Sequence, residues 1–185
     1  MQREKTLEWP IQIIPANNLK KQDQEEVFEL CERAFGEDLR IYFQAFINPL
    51  HFIVWDKGVI VGHACIIERW LQVAENKAMR TAYIEAVATD PKYQKMGIGT
   101  ALMKETIKVA KSDLFEIGGL CPDPVDFYLK LGWQLWKGPL NYRKDGRLYE
   151  SPKDEQAMIY RLPKTPQLDI KRPLSIEWRS GPEVW

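Results

Sequence analysis

Residues 81–111, TAYIEAVATDPKYQKMGIGTALMKETIKVAK, constrain the fold of this chain more than any other stretch. Tyr83 to Thr89 is rich in β-branched and aromatic residues, the composition of a buried strand. Asp90-Pro91 ends it, because proline has no N–H for a ladder and turns the chain. From Gly99 onward Leu102, Met103, Thr106, Ile107 and Ala110 recur at helical spacing, so one face of a helix is apolar. The junction is Gln94-Lys95-Met96-Gly97-Ile98-Gly99. A helix N-terminus carries unpaired N–H groups and partial positive charge, which suits an anion. Gly97 and Gly99 have no side chains to hold a ligand off that backbone. A pyrophosphate is the natural guest. The dinucleotide pattern G-x-G-x-x-G fails at Leu102, and the P-loop triplet Gly-Lys-Ser/Thr occurs nowhere in the chain.

The rest of the sequence narrows the partners. At 185 residues one domain spanning 1–185 is expected, and an apolar fraction of 45% suffices for a sizeable core. Lysine plus arginine equals aspartate plus glutamate, 26 each, which argues against nucleic acid as the main partner. No apolar run approaches the ~20 residues of a membrane span. The opening MQREKTLEWP lacks the apolar core of a signal peptide, so a cytoplasmic protein is expected. Cys31, Cys65 and Cys121 are scattered and odd in number, the pattern of free thiols in a reducing compartment. His51 and His63 form no ligand-spaced cluster with cysteine or carboxylate, so no metal is expected. His63 reads as a core histidine with its hydrogen bonds satisfied.

The element order follows from periodicity and turn residues. Ile11 to Ile14 is a first strand, and Lys20 to Phe35 a helix with a stripe of Val27, Phe28, Leu30, Cys31 and Phe35. Gly36-Glu37-Asp38 breaks it, and Leu39 to Ile47 reads as a second helix ended by Asn48-Pro49. His51–Trp55 and Val59–Leu71 form a hairpin around Asp56-Lys57-Gly58. Asn76-Lys77 is the next turn. After the 81–111 unit come a strand over Phe115–Leu120, a helix over Asp126–Leu131 stopped by Gly132, and a strand over Trp133–Trp136. Residues 137–156 read as a long polar surface loop. Ala157–Leu162 and Leu174–Trp178 are the last strands. This order predicts an α/β fold with a mixed central β-sheet flanked by helices.

Gln/Arg-x-x-Gly-x-Gly/Ala after a strand and opening a helix resembles the acetyl-CoA pyrophosphate loop of the GNAT superfamily of N-acetyltransferases. Further stretches resemble the aminoglycoside 2′-N-acetyltransferases: Tyr-Ile-Glu-Ala at 83–86, Ala-Phe-Gly-Glu-Asp at 34–38, Leu-Gly-Trp-Gln-Leu-Trp-Lys-Gly at 131–138, and the ending Glu-Trp-Arg-Ser-Gly-Pro-Glu-Val-Trp at 177–185. The similarity runs from about Ala34 to the last residue. It implies a GNAT fold, acetyl-CoA as co-substrate, an aminoglycoside acceptor, an antibiotic-resistance role and a homodimer.

Moving an acetyl group from a thioester to an amine requires a neutral amine, a polarised carbonyl and a protonated leaving thiol. An amine is largely protonated at neutral pH, so a base must take its proton, directly or through water. Glu85 lies on the central strand upstream of the anion loop; by resemblance it holds the base position and also binds the cationic acceptor, together with Ala86. Its simpler alternative is a solvated strand residue, an awkward fit among Ile84, Ala86 and Val87. A phenol can protonate a departing thiolate, and by resemblance Tyr128, just before Gly132-Trp133, is that general acid; core packing is its alternative, and Tyr142, Tyr149 and Tyr160 are rivals. The resemblance also assigns the backbone of Val87, Ala88 and Thr89 to the pantetheine arm and that of Gln94, Lys95, Met96, Gly97, Ile98 and Gly99 to the pyrophosphate.

For the acceptor, carboxylates suit a polyamine. Asp38, Asp154 and Glu155 are candidates by position, against the alternative of ordinary surface charge. The resemblance adds the carboxylate of Trp185 and the backbone carbonyl of Cys121. Two departures fall on this pocket alone. Ile41, Tyr42 and Phe43 stand where the family has a second acid, and Cys121-Pro122-Asp123-Pro124 is about two residues shorter than the family's loop. A pocket with more rings and fewer acids favours an aminoglycoside with fewer amines, kasugamycin-like, or an unrelated amine such as a peptide terminus or polyamine. A non-catalytic acyl-CoA-binding module is the third alternative, disfavoured by Glu85 and Tyr128.

Overall fold

The computed structural model describes residues 9–181 and 184–185. Residues 1–8, which carry most of the leader reading, and Pro182-Glu183 of the carboxyl-end motif lie outside the described residues. The elements are β1 (Ile11–Pro15), α1 (Lys21–Phe35), α2 (Arg40–Phe43), β2 (Leu50–Asp56), β3 (Val59–Val73), β4 (Met79–Thr89), α3 (Ile98–Ser112), β5 (Ile117–Leu120), α4 (Val125–Lys130), β6 (Gln134–Leu135), β7 (Leu140–Lys144), β8 (Arg147–Glu150), β9 (Met158–Arg161) and β10 (Leu174–Glu177).

The sheet is mixed, as expected. The order β6-β9-β5-β4-β3 continues through β2 to β1 along one half of β3. At the far end of β3, Val73 and Gln72 pair with Leu174 and Ser175, and β10, β7 and β8 extend the sheet there. The β2–β3 turn places Lys57 at φ 49° and Gly58 at φ 80°, left-handed values that match hairpin twist.

Period-two alternation puts helices on both faces. Phe52, Val54, Val61, Ala64, Ile66, Ala82 and Ile84 meet Ile98, Leu102, Met103, Ile107 and Ala110 of α3. Ile53, Ile60 and Ala88 face Val27, Leu30 and Cys31 of α1. Each Val, Leu, Ile, Phe or Met side chain fully buried there contributes about 1.5–3 kcal/mol. A third cluster, with Leu71, Val73, Tyr83, Trp136, Leu174, Ile176 and Trp185, closes the end where β3, β10 and the last residues meet.

Three expectations are corrected. The 137–156 segment is no loop: it holds the β7–β8 hairpin, turned at Asp145 (φ 50°) and Gly146 (φ 72°). Asp-Gly is a strong signal for such a turn, hidden here because β8 is exposed along its length and shows no alternation. The second helix spans only Arg40–Phe43. Beyond it the chain tightens into i→i+3 bonds, Ala45 N to Tyr42 O and Phe46 N to Phe43 O, and both Ile41 and Ile47 face solvent, so no continuous apolar stripe sustains a longer helix. The Trp133–Trp136 strand shrinks to Gln134–Leu135, because the buried Trp133 sends its N–H to Tyr128 O.

Candidate active site

Two features of β4 create the site. First, β4 and β5 run parallel and pair only from Thr81/Ile117 to Tyr83/Gly119; β4 continues to Thr89 while β5 ends at Leu120. The strands part, and a cleft opens along residues 84–89. Second, the β3–β4 register shifts between His63 and Cys65, and Ala86 there adopts φ 49°, which marks a β-bulge. The Ala86 carbonyl is taken up by the His63 ring, Nδ1 to O 2.9 Å. His63 Nε2 lies 3.0 Å from His51 Nδ1, and both rings are buried. Burial pushes His51 down to about 4; burial and then the neighbouring His51 push His63 down to about 3. Both rings are therefore neutral at pH 7. A carbonyl only accepts, so His63 carries its proton on Nδ1, its Nε2 accepts, and His51 Nδ1–H donates.

The anion loop follows. Asp90 caps the turn at Pro91–Tyr93 by accepting from Lys92 N at 3.0 Å, and Arg33 Nε reaches the same carboxylate at 3.0 Å. Burial works to raise Asp90, but the Lys92 N–H and Arg33 outweigh it and hold the carboxyl below its usual range. Tyr93 Oη donates to Asp56 at 2.7 Å, and Trp9 Nε1 to Met96 O at 2.9 Å, which ties both ends of the loop to the body. Lys95 (φ 63°) and Gly97 (φ 88°) take left-handed backbone, and α3 starts with no side-chain cap on its first N–H groups. That is an uncapped anion cradle, and it fits a diphosphate. A Cβ at Gly99 would lie 3.3 Å from the Phe127 ring.

The loop opens into a groove of about 620 Å³ lined by Val87, Thr89, Gln94, Lys95, Gly97, Ile98 and Gly99 together with Phe127 and Tyr128. A second cavity of about 270 Å³ is lined by Glu85, Ala86, Val87, Cys121, Tyr128 and Trp185 together with Tyr42 and Phe46. The two share Phe35, Val87, Asp123 and Tyr128. Tyr128 is buried; burial, then Asp123, Cys121 and Glu85, raise its hydroxyl, which stays protonated. Of the remaining sequence candidates, Ala88 is buried against α1 and pairs with His63. Met96 is exposed, with its carbonyl held by Trp9. Asp38 is exposed and bonded to Arg40, through Oδ1 to its N–H at 2.9 Å and Oδ2 to Nη1 at 3.0 Å. The Arg40 N–H, first among several causes, holds its carboxyl below the usual range. Asp154 is exposed and Glu155 half-buried, and neither lines the two cavities. Trp185 is buried, its Nε1 donating to Ser151 Oγ at 2.7 Å. Sequence reasoning missed Phe46, Arg69, Asp123 and Arg179 beside Glu85. They arrive from α2's tail, β3, the β5–α4 loop and the carboxyl end; Asp123 and Arg179 lie in stretches the sequence already singles out, but nothing local brings the four together.

Among the described residues no group of three or more His, Cys, Asp or Glu side chains is set to hold a metal ion. No helix of the described residues is long and apolar enough to cross a membrane.

A parted mixed sheet with a glycine-bearing loop feeding one helix defines an acetyltransferase architecture: the acetyltransferase (GNAT) family model matches residues 18–133, and the chain belongs to that family. It is an acetyl-CoA-dependent class of enzyme. The chain is 24% identical over 179 residues to an aminoglycoside 2′-N-acetyltransferase of Mycolicibacterium fortuitum, covering 94% of this chain and 90% of that one. Its fold is that of a GNAT N-acetyltransferase, YhbS, from Escherichia coli in complex with CoA, at a TM-score of 0.64 and 16% identity over 94% of this chain and 93% of that chain. Eis1 of Mycobacterium abscessus also matches, with a TM-score of 0.59 and 16% identity over 70% of this chain; the match covers only 32% of Eis1.

Proposed function

We propose that this chain transfers the acetyl group of acetyl-CoA directly to the 2′-amine of an aminoglycoside. The observation that carries the reading is the meeting of the two cavities at Val87 and Tyr128, with Glu85 on the acceptor side of that junction. Acetyl-CoA supplies the activated thioester. The N–H groups from Gln94 to Gly99 hold the diphosphate, and the open edge of β4 over Val87–Thr89 pairs with the pantetheine arm. Glu85 receives the acceptor's ammonium and takes its proton, so that the nitrogen lone pair is free to attack. The Tyr128 hydroxyl, kept protonated by burial, donates to the departing sulfur. Both partners sit in one cavity pair, so positioning does the remaining work and no covalent enzyme intermediate is required.

Two observations favour an aminoglycoside with fewer amines over a heavily charged one. Asp38 is already engaged by Arg40, and Tyr42 and Phe46 present rings to the acceptor cavity. The test is thiol release from acetyl-CoA with a panel of aminoglycosides. Turnover of substrates with a 2′-amine and none of 2′-hydroxy analogues supports the reading. Turnover confined to peptide or polyamine acceptors would replace it.

A further inference from the structure

Behind Glu85 lies a second, smaller cavity of about 30 Å³, walled by Arg69, Arg179, Glu85 and Trp185 with Tyr42, Ala45 and Phe46. It shares Tyr42, Phe46, Glu85 and Trp185 with the acceptor cavity, so the two are continuous in their walls. Its volume is about two water-sized groups, the size of a carboxylate's oxygen pair.

The two arginines are not equivalent. Arg69 is engaged through two of its nitrogens: Nε donates to Glu177 Oε1 at 2.7 Å, and Nη2 to the carbonyls of Glu177 and Val184 at 2.8 and 2.9 Å. Glu177 spends its other oxygen on Trp70 N at 2.8 Å. Arg179, with a side chain 12% exposed, gives Nη2 to Glu68 O at 2.6 Å and stands 3.5 Å from the same Glu177 Oε1. Its Nη1 is buried with no hydrogen-bond partner among the described residues. Both guanidiniums reach Glu177, Glu85 adds its charge from the wall of the same cavity, and the Nη1 donor of Arg179 stays unused. Burial, then Arg69, push Arg179 down to about 10 against the opposing pull of Glu177 and Glu85. An open guanidinium N–H beside the acceptor cavity takes a carboxylate best, because the pair adds a charge-assisted hydrogen bond.

We infer that the acceptor carries a carboxylate besides its amine, with Arg179 Nη1 receiving the carboxylate while Glu85 receives the ammonium. This rests on the acetyl-transfer reading above and narrows its acceptor to a zwitterionic amino sugar. Arg179 acts as a specificity residue on this acceptor.

The experiment uses the full chain and two acceptors that differ at one carbon, a 2-amino-hexose and the corresponding 2-amino-hexuronic acid. kcat/KM should favour the acid by about tenfold or more, the scale of a charge-assisted hydrogen bond, with the difference in KM. Calorimetric binding of both sugars in the presence of CoA should give the same preference without any need for turnover. In Arg179→Met the preference should collapse to about one, and Arg179→Lys should recover part of it; an unchanged acetyl-CoA affinity shows that the variants fold. A wild-type ratio near one by both measurements overturns the inference, as does a ratio that survives Arg179→Met. Should Arg179→Met not fold, the wild-type ratio and the Arg179→Lys value decide. Absence of turnover with the binding preference intact strikes the transfer reading and leaves the carboxylate site standing.

Discussion

His63 Nδ1 donates to the carbonyl of Ala86 across 2.9 Å and so ties down the bulge next to Glu85. At Ala86 the β4 backbone leaves the ladder register, and His63, itself bonded to His51, supplies the missing donor from the neighbouring strand. The pair works only while neutral. Both rings have folded pKa values far below the ordinary 6.5, so the unfolded chain binds more protons between about pH 4 and 6.5. Stability is therefore complete above that window and falls as the pH drops through it, by about 1 kcal/mol per pH unit for each ring still neutral in the fold. Urea unfolding at pH 7.5, 6.0 and 5.0 checks this; His51→Leu, which removes one titrating ring, should flatten the trend. Unchanged midpoints from pH 7.5 to 5.0 would contradict it.

Tyr128 separates the two cavities, and its phenol is held protonated. Tyr128→Phe keeps the ring that packs against Trp133 and Phe127 and removes only the hydroxyl. Turnover should fall by about 10²-fold, the scale of lost acid catalysis, with acetyl-CoA affinity little changed. Steady-state kinetics beside calorimetry makes the distinction. A full rate in the Phe variant would take Tyr128 out of the chemistry and leave it as packing.

The sequence carried the 81–111 unit because both of its signals are local. Strand composition, the Asp90-Pro91 stop and the α3 stripe all lie within about thirty residues, and their consistency narrows the alternatives. The β2–β3 hairpin was legible for the same reason. The acceptor cavity was legible only in part: Glu85, Ala86, Cys121, Tyr128 and Trp185 stood out, and the arginines beside them did not. Arg69 and Glu177, paired at 2.7 Å, are more than a hundred positions apart, and nothing near either residue signals the other. The second helix was over-read because Ile41, Phe43 and Ile47 suggest a stripe that the fold leaves partly in solvent. The bulge at Ala86 left no mark either: its donor comes from the side chain of His63 on β3, which reads only as one more core position.

Gly97 is the place where α3's mouth is most sensitive. Its φ of 88° suits only a residue without Cβ, although the space beside it is open. Gly97→Ala should therefore cost about 1 kcal/mol through backbone strain and no clash, and weaken CoA binding several-fold as the loop N–H groups tilt. Gly62→Ala is the contrasting control. There a Cβ would collide with Ile98 Cγ2 at the start of α3, an overpacking cost of about 1–3 kcal/mol. Thermal melts with and without CoA separate the two. Gly62→Ala should lower the melting temperature more than Gly97→Ala, and a Gly97→Ala protein that binds CoA as tightly as wild type would remove the loop from diphosphate binding.

Glu85 lines the acceptor cavity and the small cavity behind it, but not the groove along the anion loop. On the proposed reading a residue placed there acts on the amine and not on acetyl-CoA. Glu85→Gln keeps the side chain's shape and removes its charge and basicity, so kcat/KM for the acceptor should fall by about 10²–10⁴-fold while the dissociation constant of acetyl-CoA stays within about twofold. The pH dependence sharpens the test. Without the base, only acceptor molecules already deprotonated in solution can react, so the residual rate should climb with pH toward the amine's own pKa. Trp185→Ala offers the contrast within the same lining: removing its ring and the 2.7 Å bond to Ser151 opens the cavity and should raise the acceptor KM, leaving the shape of the pH profile as in wild type. A pH profile in Glu85→Gln that matches wild type would assign Glu85 to binding the ammonium alone and require another base for the proton.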